Sequence, residues 1–205
     1  MSKTKLAILG AGGHTRSLIN IIDPDIYELI GIFDDSFDPQ LEEEIFGIKV
    51  IGTLTDIPDN CELLISYGDL KRRFEIYKKF EKQKANSNLA HKSSLIHPYV
   101  SLGKSNQIFS NVVINSGAHI GDFNILNTSC TIEHEVKIGN YNHISVGSII
   151  CGRTQIGNHC FIGAGATIID KLSICDNVII GANSVAVSDI DEPGTYVGNP
   201  IRKIK

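Results

Sequence analysis

From residue 96 onward an isoleucine or leucine falls on every sixth position, fifteen times without a slip: Ile96, Leu102, Ile108, Ile114, Ile120, Leu126, Ile132, Ile138, Ile144, Ile150, Ile156, Ile162, Ile168, Ile174 and Ile180. Isoleucine and leucine together supply 47 of the 205 residues. Chance would produce such a run with a probability on the order of 10⁻¹⁰. Neither the helix period of about 3.6 nor the strand period of about 2 asks for this spacing. A chain that turns a corner every six residues does, because each aliphatic then points into one shared interior. The pattern is the hexapeptide repeat of a left-handed parallel β-helix.

A second layer supports this reading. The position four after each aliphatic runs Val100, Asn106, Val112, Ala118, Asn124, Cys130, Val136, Asn142, Ser148, Thr154, Cys160, Ala166, Leu172, Val178 and Ser184. None is charged, and all but Leu172 are small or Asn, as a tight corner packed at crystal-like density requires. Glycine, Asn and Asp crowd the residues just after the aliphatic, including Gly103, Gly121, Gly139, Gly157, Gly163 and Gly181. These types suit a left-handed turn. Three hexads close a coil of about 18 residues, so residues 96–185 predict about five coils, each about 4.8 Å above the last. No insertion breaks the register, so no loop leaves the prism. Flat faces and open ends expose unpaired edges, and packing three prisms about a threefold axis, by analogy with such folds, predicts a homotrimer.

Composition narrows the function. A net charge of −4 argues against a nucleic-acid partner. The cluster Lys71-Arg72-Arg73 alternates with acids on a helix and reads as a solvated face. Five cysteines without a CxxC pair fit a reducing compartment. The apolar run after Lys5 is too short for a signal peptide, and no stretch approaches a membrane span. The expectation is a cytoplasmic protein with no membrane insertion.

Residues 1–90 lack the six-residue period and read as a small α/β domain, with 91–205 as the β-helix domain. Leu6 to Leu9 is a short buried strand, followed by Gly10-Ala11-Gly12-Gly13-His14 and a helix through Ile22. Tyr27 to Phe33 is a second strand ending at Asp34-Asp35. Leu63 to Tyr67 is a third, ending at Gly68-Asp69, and a charged helix follows to about Lys84. This alternation means a Rossmann-like parallel sheet, whose ligands sit at the carboxyl ends of its strands. Gly12, Gly13, His14, Asp34, Asp35 and Gly68 all fall there. The dinucleotide fingerprint wants glycine at position 15, where this chain has Thr15, so a nicotinamide dinucleotide is disfavoured. Asp34 stands about 20 residues after the loop, where an acid can accept hydrogen bonds from a ribose or base.

The repeat region also carries Asn127-Thr-Ser-Cys-Thr-Ile-Glu133-His134-Glu135, with His143 further on. His134 lies two positions after an inward aliphatic, so its side chain should project off the prism. A carboxylate bonded to one ring nitrogen leaves the other as a base. Neighbours alternate direction in an extended chain, so Glu133 or Glu135 faces His134 only if a turn intervenes.

On Gly10 to His14, Asp34-Asp35, Asn127 to Glu135, His143 to Gly147 and Val197-Gly-Asn-Pro200, the chain resembles the bacterial sugar acetyltransferases. These join a nucleotide-sugar-binding α/β domain to a left-handed β-helix. The nearest members N-acetylate a UDP-4-amino-4,6-dideoxy sugar on the way to bacillosamine. Relatives act on GDP-perosamine or O-acetylate sialic acid. The resemblance implies acetyl-CoA as cosubstrate, no metal, and direct transfer with His134 as general base and Glu135 orienting it. It implies that Gly12, Gly13, His14, Asp34, Asp35, Gly68 and Asn127 hold the nucleotide sugar, and that His143, Ala164 and Ala182 line an acetyl-CoA groove between neighbouring prisms. The chain departs from the pattern at Gly68-Asp69, where Gly-Asn is usual, and at Ile201, where a small residue is common. Two rival readings are a zinc trimer of the carbonic-anhydrase kind, using His119, His134, His143 and His159, and a non-catalytic binding trimer.

Overall fold

The computed structural model describes residues 2–80 and 87–205. The chain divides into two compact units, Met1–Asn86 and Ser87–Lys205.

In the first unit, β1 (Thr4–Leu9), β2 (Tyr27–Phe33), β3 (Glu44–Ile45), β4 (Ile48–Gly52) and β5 (Glu62–Ile65) form one sheet in the order β3-β4-β2-β1-β5. β1 lies parallel to both β2 and β5, β2 is parallel to β4, and β3 pairs antiparallel with β4. The central strand β1 buries Leu6, Ala7, Ile8 and Leu9 completely, the continuous apolar run of a parallel strand covered on both faces. The first helix, α1 (Gly13–Leu18), passes into a 3₁₀ turn at Ile19–Ile21. The second, α2, spans Leu70–Lys79, and the part of the expected helix beyond Phe80 lies outside the described residues. The β3–β4 hairpin escaped the sequence reading because Glu44 and Ile45 are too few to show a period. Arg73 corrects the expectation of a solvated basic face: it is 1% exposed, and burial drives its pKa down to about 10.

The second unit is a three-faced solenoid of parallel two-residue strands, each inward aliphatic paired with the residue one coil on. Ile96, Ile114, Ile132, Ile150 and Ile168 form one column. Leu102, Ile120, Ile138, Ile156 and Ile174 form the second, and Ile108, Leu126, Ile144, Ile162 and Ile180 the third. Between Ile108 and Ile180 every member of these columns is at most 4% exposed, and burial of each stabilises the unit by about 1.5–3 kcal/mol relative to exposure. The small residues at the fourth position fill the same interior, with Val112, Ala118, Cys130, Val136, Cys160, Ala166 and Val178 fully buried. The solenoid extends one hexad beyond the aliphatic run at each end, through Ala90 and Ala186. Alanine keeps the register there but is invisible to an Ile/Leu pattern. Strand Gly194–Val197 then runs parallel to Val178–Ile180, and Arg202–Lys203 pairs antiparallel to it, covering that edge. Ile201 packs against the core.

The backbone makes its corners differently from the sequence expectation. The left-handed residue stands three after the aliphatic, at Tyr99, Ser105, Asn111, Gly117, Phe123, Ser129, Glu135, Tyr141, Gly147, Arg153, His159, Gly165, Lys171, Asn177 and Asn183. Gly121 and Gly139 serve close approach instead. A Cβ on Gly121 would lie 2.6 Å from the Gly139 carbonyl oxygen, and one on Gly139 would lie 2.7 Å from that of Gly157.

Candidate active site

The Glu133-His134-Glu135 segment sits on one of these corners. His134 follows the strand Thr131–Ile132 and projects from the prism with its side chain 52% exposed. Glu135 has φ +60°, and this left-handed residue is the turn that lets two sequence neighbours face each other. His134 Nδ1 donates to Glu135 Oε2 at 3.1 Å. The same oxygen accepts a second bond, at 3.0 Å, from Nε of Arg153 one coil on. The bonds from His134 and then Arg153, with the charge of Arg153, hold the Glu135 carboxyl below its ordinary pKa. Glu133 takes no part in this pair.

The other edge of the imidazole lies over Gly152, where a Cβ would come within 2.6 Å of His134 Nε2 and 2.7 Å of Cε1. Gly152 has no left-handed backbone requirement, so its bare Cα serves the histidine. Gly152→Ala is therefore expected to push the ring off Glu135 and, where turnover runs through His134, to lower kcat by about 10²-fold, a misplacement of about 1 Å being enough for that. Steady-state kinetics beside an unchanged far-ultraviolet spectrum check it; a loss below threefold would show that the ring tolerates the methyl. Sequence reading missed both Arg153 and Gly152, because each meets His134 and Glu135 only by lying one coil above them.

Asn127 and His143 come together on the preceding corner and face, with Asn127 Nδ2 3.2 Å from His143 Nε2 and Asn127 Oδ1 accepting from the Thr128 N–H at 2.8 Å. His143 is buried and packs edge-on against Phe161, ring centroids 5.1 Å apart. Ala164 and Ala182 are exposed and stack one coil apart on that corner, joined by the Asn183 N–H to the Ala164 carbonyl. His134 stands at the far edge of the next face, six residues along the coil from Thr128. Among the described residues no three His, Cys, Asp or Glu side chains gather as a metal ion requires. His119, His134, His143 and His159 therefore gain no support as a zinc site.

In the first unit the glycine loop is tied down from both sides. Asp34 Oδ2 accepts from the Ala11 N–H at 2.7 Å, and Oδ1 accepts from Ser36 Oγ at 2.6 Å and its N–H at 2.9 Å. Burial works against this carboxylate, but the bonds from Ser36 and Ala11 and the Arg72 charge outweigh it and hold its pKa below the ordinary value. Thr15 explains the missing third glycine: its hydroxyl donates to the Gly10 carbonyl at 2.6 Å and meets Ser66 Oγ at 2.8 Å. Asp35 pairs with Arg72 at 2.6 Å, and the guanidinium lies 5.7 Å from the Tyr67 ring centroid. Asp69, the departure from Gly-Asn, caps α2 by accepting the Arg72 N–H at 2.7 Å. Gly12, Gly13 and Gly68 have ordinary backbones and open space where a Cβ would stand, and His14 beside them is half-buried.

Family models match part of each unit. Residues 5–80 match the PglD N-terminal domain, and residues 135–170 and 153–186 match the bacterial transferase hexapeptide (six repeats). The first match spans the glycine loop and Asp34-Asp35, and the second begins at Glu135 within the repeat region. A search of curated protein sequences returns no significant match. Among solved structures, the chain is similar to the acetyltransferase domain of PglB from Neisseria gonorrhoeae, at 26% identity over 98% of this chain and 100% of that one, TM-score 0.86. That domain has also been solved with acetyl coenzyme A. The chain is likewise similar to a histidine-to-alanine variant of GDP-perosamine N-acetyltransferase from Caulobacter crescentus, in complex with CoA and GDP-perosamine. There the identity is 25% over 100% of this chain and 98% of that one, with a TM-score of 0.89. These neighbours are sugar N-acetyltransferases or acetyltransferase domains that take the acetyl donor or CoA.

Proposed function

We propose that this chain is an acetyl-CoA-dependent N-acetyltransferase acting on the 4-amino group of a nucleotide-activated amino-deoxy sugar, of the UDP-4-amino-4,6-dideoxy-GlcNAc type. The observation that carries the reading is the His134–Glu135 pair at 3.1 Å. With Nδ1–H given to Glu135, the lone pair of Nε2 is left for a proton. The neutral sugar amine attacks the thioester carbonyl as Nε2 takes its proton, the C–S bond breaks, and the proton leaves with the CoA thiol. Five free cysteines notwithstanding, no acyl-enzyme is needed, and the chain's first unit supplies the sugar site. Open space at Gly12, Gly13 and Gly68 supports that assignment: the protein itself has no steric need for glycine there, whereas a ligand pressed against the backbone does. His14, Asp34 and Asp35 border it.

The reading includes a homotrimer. The positions assigned to acetyl-CoA (Ala164, Ala182 and the neighbouring His143) and the base His134 lie at opposite edges of one solenoid face. A stretch of six residues spans at most about 20 Å, and a second prism that brings one edge against the other would set a thioester at the first edge beside the base. The outward residues of that face are Leu95, Val113, Thr131, Ile149, Thr167 and Val185, with Leu95 52% and Ile149 42% exposed. Another face presents Ser101, His119, Lys137, Gln155 and Ser173. Exposed apolar side chains such as Leu95 and Ile149 support an interface on that face. Ile149→Lys is expected to convert a trimer to monomer by light scattering and to abolish turnover with it; a trimer that survives the lysine would move the interface to another face.

The similarity to the Caulobacter enzyme favours GDP-perosamine as the second acceptor to test. Thiol release from acetyl-CoA is measured with UDP-4-amino-4,6-dideoxy-GlcNAc, GDP-perosamine and sialic acid. Turnover on the UDP sugar is the expected result. A preference for GDP-perosamine would change the nucleotide, activity on sialic acid alone would make this an O-acetyltransferase, and silence on all three would overturn the substrate class.

A further inference from the structure

Glu135 carries only one of its two ties to His134. Its side chain is 57% exposed, and an exposed carboxylate held by a single bond samples several rotamers. On the coil below, a Cβ on Gly117 would lie 3.3 Å from Glu135 Cγ, so no side chain there fixes the carboxylate. On the coil above, Arg153 does. Its backbone N–H donates to the His134 carbonyl at 3.0 Å, which locks the register of the two coils, and its Nε donates to the very oxygen that receives His134 Nδ1–H. Glu135 and Arg153 both adopt left-handed backbones, φ +60° and +62°, so both side chains leave the same corner in the same direction. Lys171, next in that column, turns instead to Asp170 at 3.7 Å. Arg153 is thus the cation that meets the dyad among the described residues.

We propose that Arg153 is a positioning residue that holds the Glu135 carboxylate in register with His134, acting on the reaction only through Glu135. The proposal rests on the acetyltransfer reading and refines its base. The Arg153 side chain bonds the Glu135 carboxylate, so its loss is expected to show in kcat rather than in binding.

The experiment compares Arg153→Gln, Arg153→Lys, Glu135→Gln and the Glu135→Gln/Arg153→Gln double variant, each checked for an unchanged melting temperature. Arg153→Gln is expected to lower kcat about tenfold, a modest loss because the pair is exposed, with KM for both substrates within about twofold. Arg153→Lys should recover about half of that loss, since an ammonium can restore the charge contact without the Nε geometry. In the Glu135→Gln background, Arg153→Gln should cost nothing further. A full additional loss there, an unchanged kcat, or a loss confined to KM would overturn the proposal. Long-range ¹⁵N correlation of the His134 ring in the unliganded protein gives a readout independent of substrate. Wild type should show the Nδ1–H tautomer and Arg153→Gln a mixture of both. If no acceptor is turned over, the substrate class has failed while this spectrum still decides the Arg153 assignment: an unchanged tautomer overturns it.

Discussion

Replacing His134 by alanine is expected to lower kcat for amine acetylation by about 10²–10⁴-fold, the usual worth of a positioned general base. The Michaelis constant for acetyl-CoA should stay nearly constant. The ring projects from the corner half-exposed and contributes little to the core, so the variant should fold and melt as the wild type does. On the proposed mechanism it removes the acceptor for the proton that the amine must shed as it attacks. Turnover will not fall to zero, because two sites that hold donor and acceptor together retain the contribution of proximity. Stopped-time thiol release on the variant is the measurement. A loss of less than tenfold would mean that the proton leaves by another route, and would remove His134 from the mechanism.

The second large effect concerns the fold. Asn124 is fully buried at a corner of the solenoid. Its Oδ1 accepts from the Asn142 N–H at 2.9 Å, and its Nδ2 donates to the Gly139 carbonyl at 2.9 Å and to Asn106 Oδ1 at 3.1 Å. Asn106 and Asn142 repeat the arrangement one coil down and one coil up, so the three form a ladder that pairs polar backbone no strand reaches. Asn124→Ala leaves the Asn142 N–H and the Gly139 carbonyl buried without that partner, at about 1–3 kcal/mol each, and opens a small void besides. A loss of about 3–5 kcal/mol is expected, seen as a fall of about 8–15 °C in the melting temperature of this unit. Differential scanning calorimetry tests it; a shift under 3 °C would mean that water or a backbone adjustment replaces the amide.

Much of this was legible before any coordinates. The fifteen-fold aliphatic run specified the solenoid and its inward columns, and the order of apolar strand and glycine loop specified the parallel sheet of the first unit. Asn106, Asn124 and Asn142 were visible as small residues that fit a corner, but not as a ladder, since their hydrogen bonds run to residues about 15 and 18 positions away. The turn position was misassigned to the glycines. Composition marks where glycine is needed, yet the need at Gly121 and Gly139 is the closeness of the next coil, while the left-handed torsion falls on Glu135, Tyr141 and Arg153, types that advertise nothing of the kind.

What the sequence by itself determined is the period and hence the fold: every inward position repeats after six residues because one interior must be filled, and that demand is written locally. It also placed His134 and Glu135 side by side. Only the tertiary structure decided that they face each other, that Arg153 shares the carboxylate, and that Gly152 clears the ring. Those contacts depend on the direction a side chain leaves a left-handed corner and on which residue the next coil sets above it. Both are fixed by backbone torsion and coil stacking, which residue types alone do not encode.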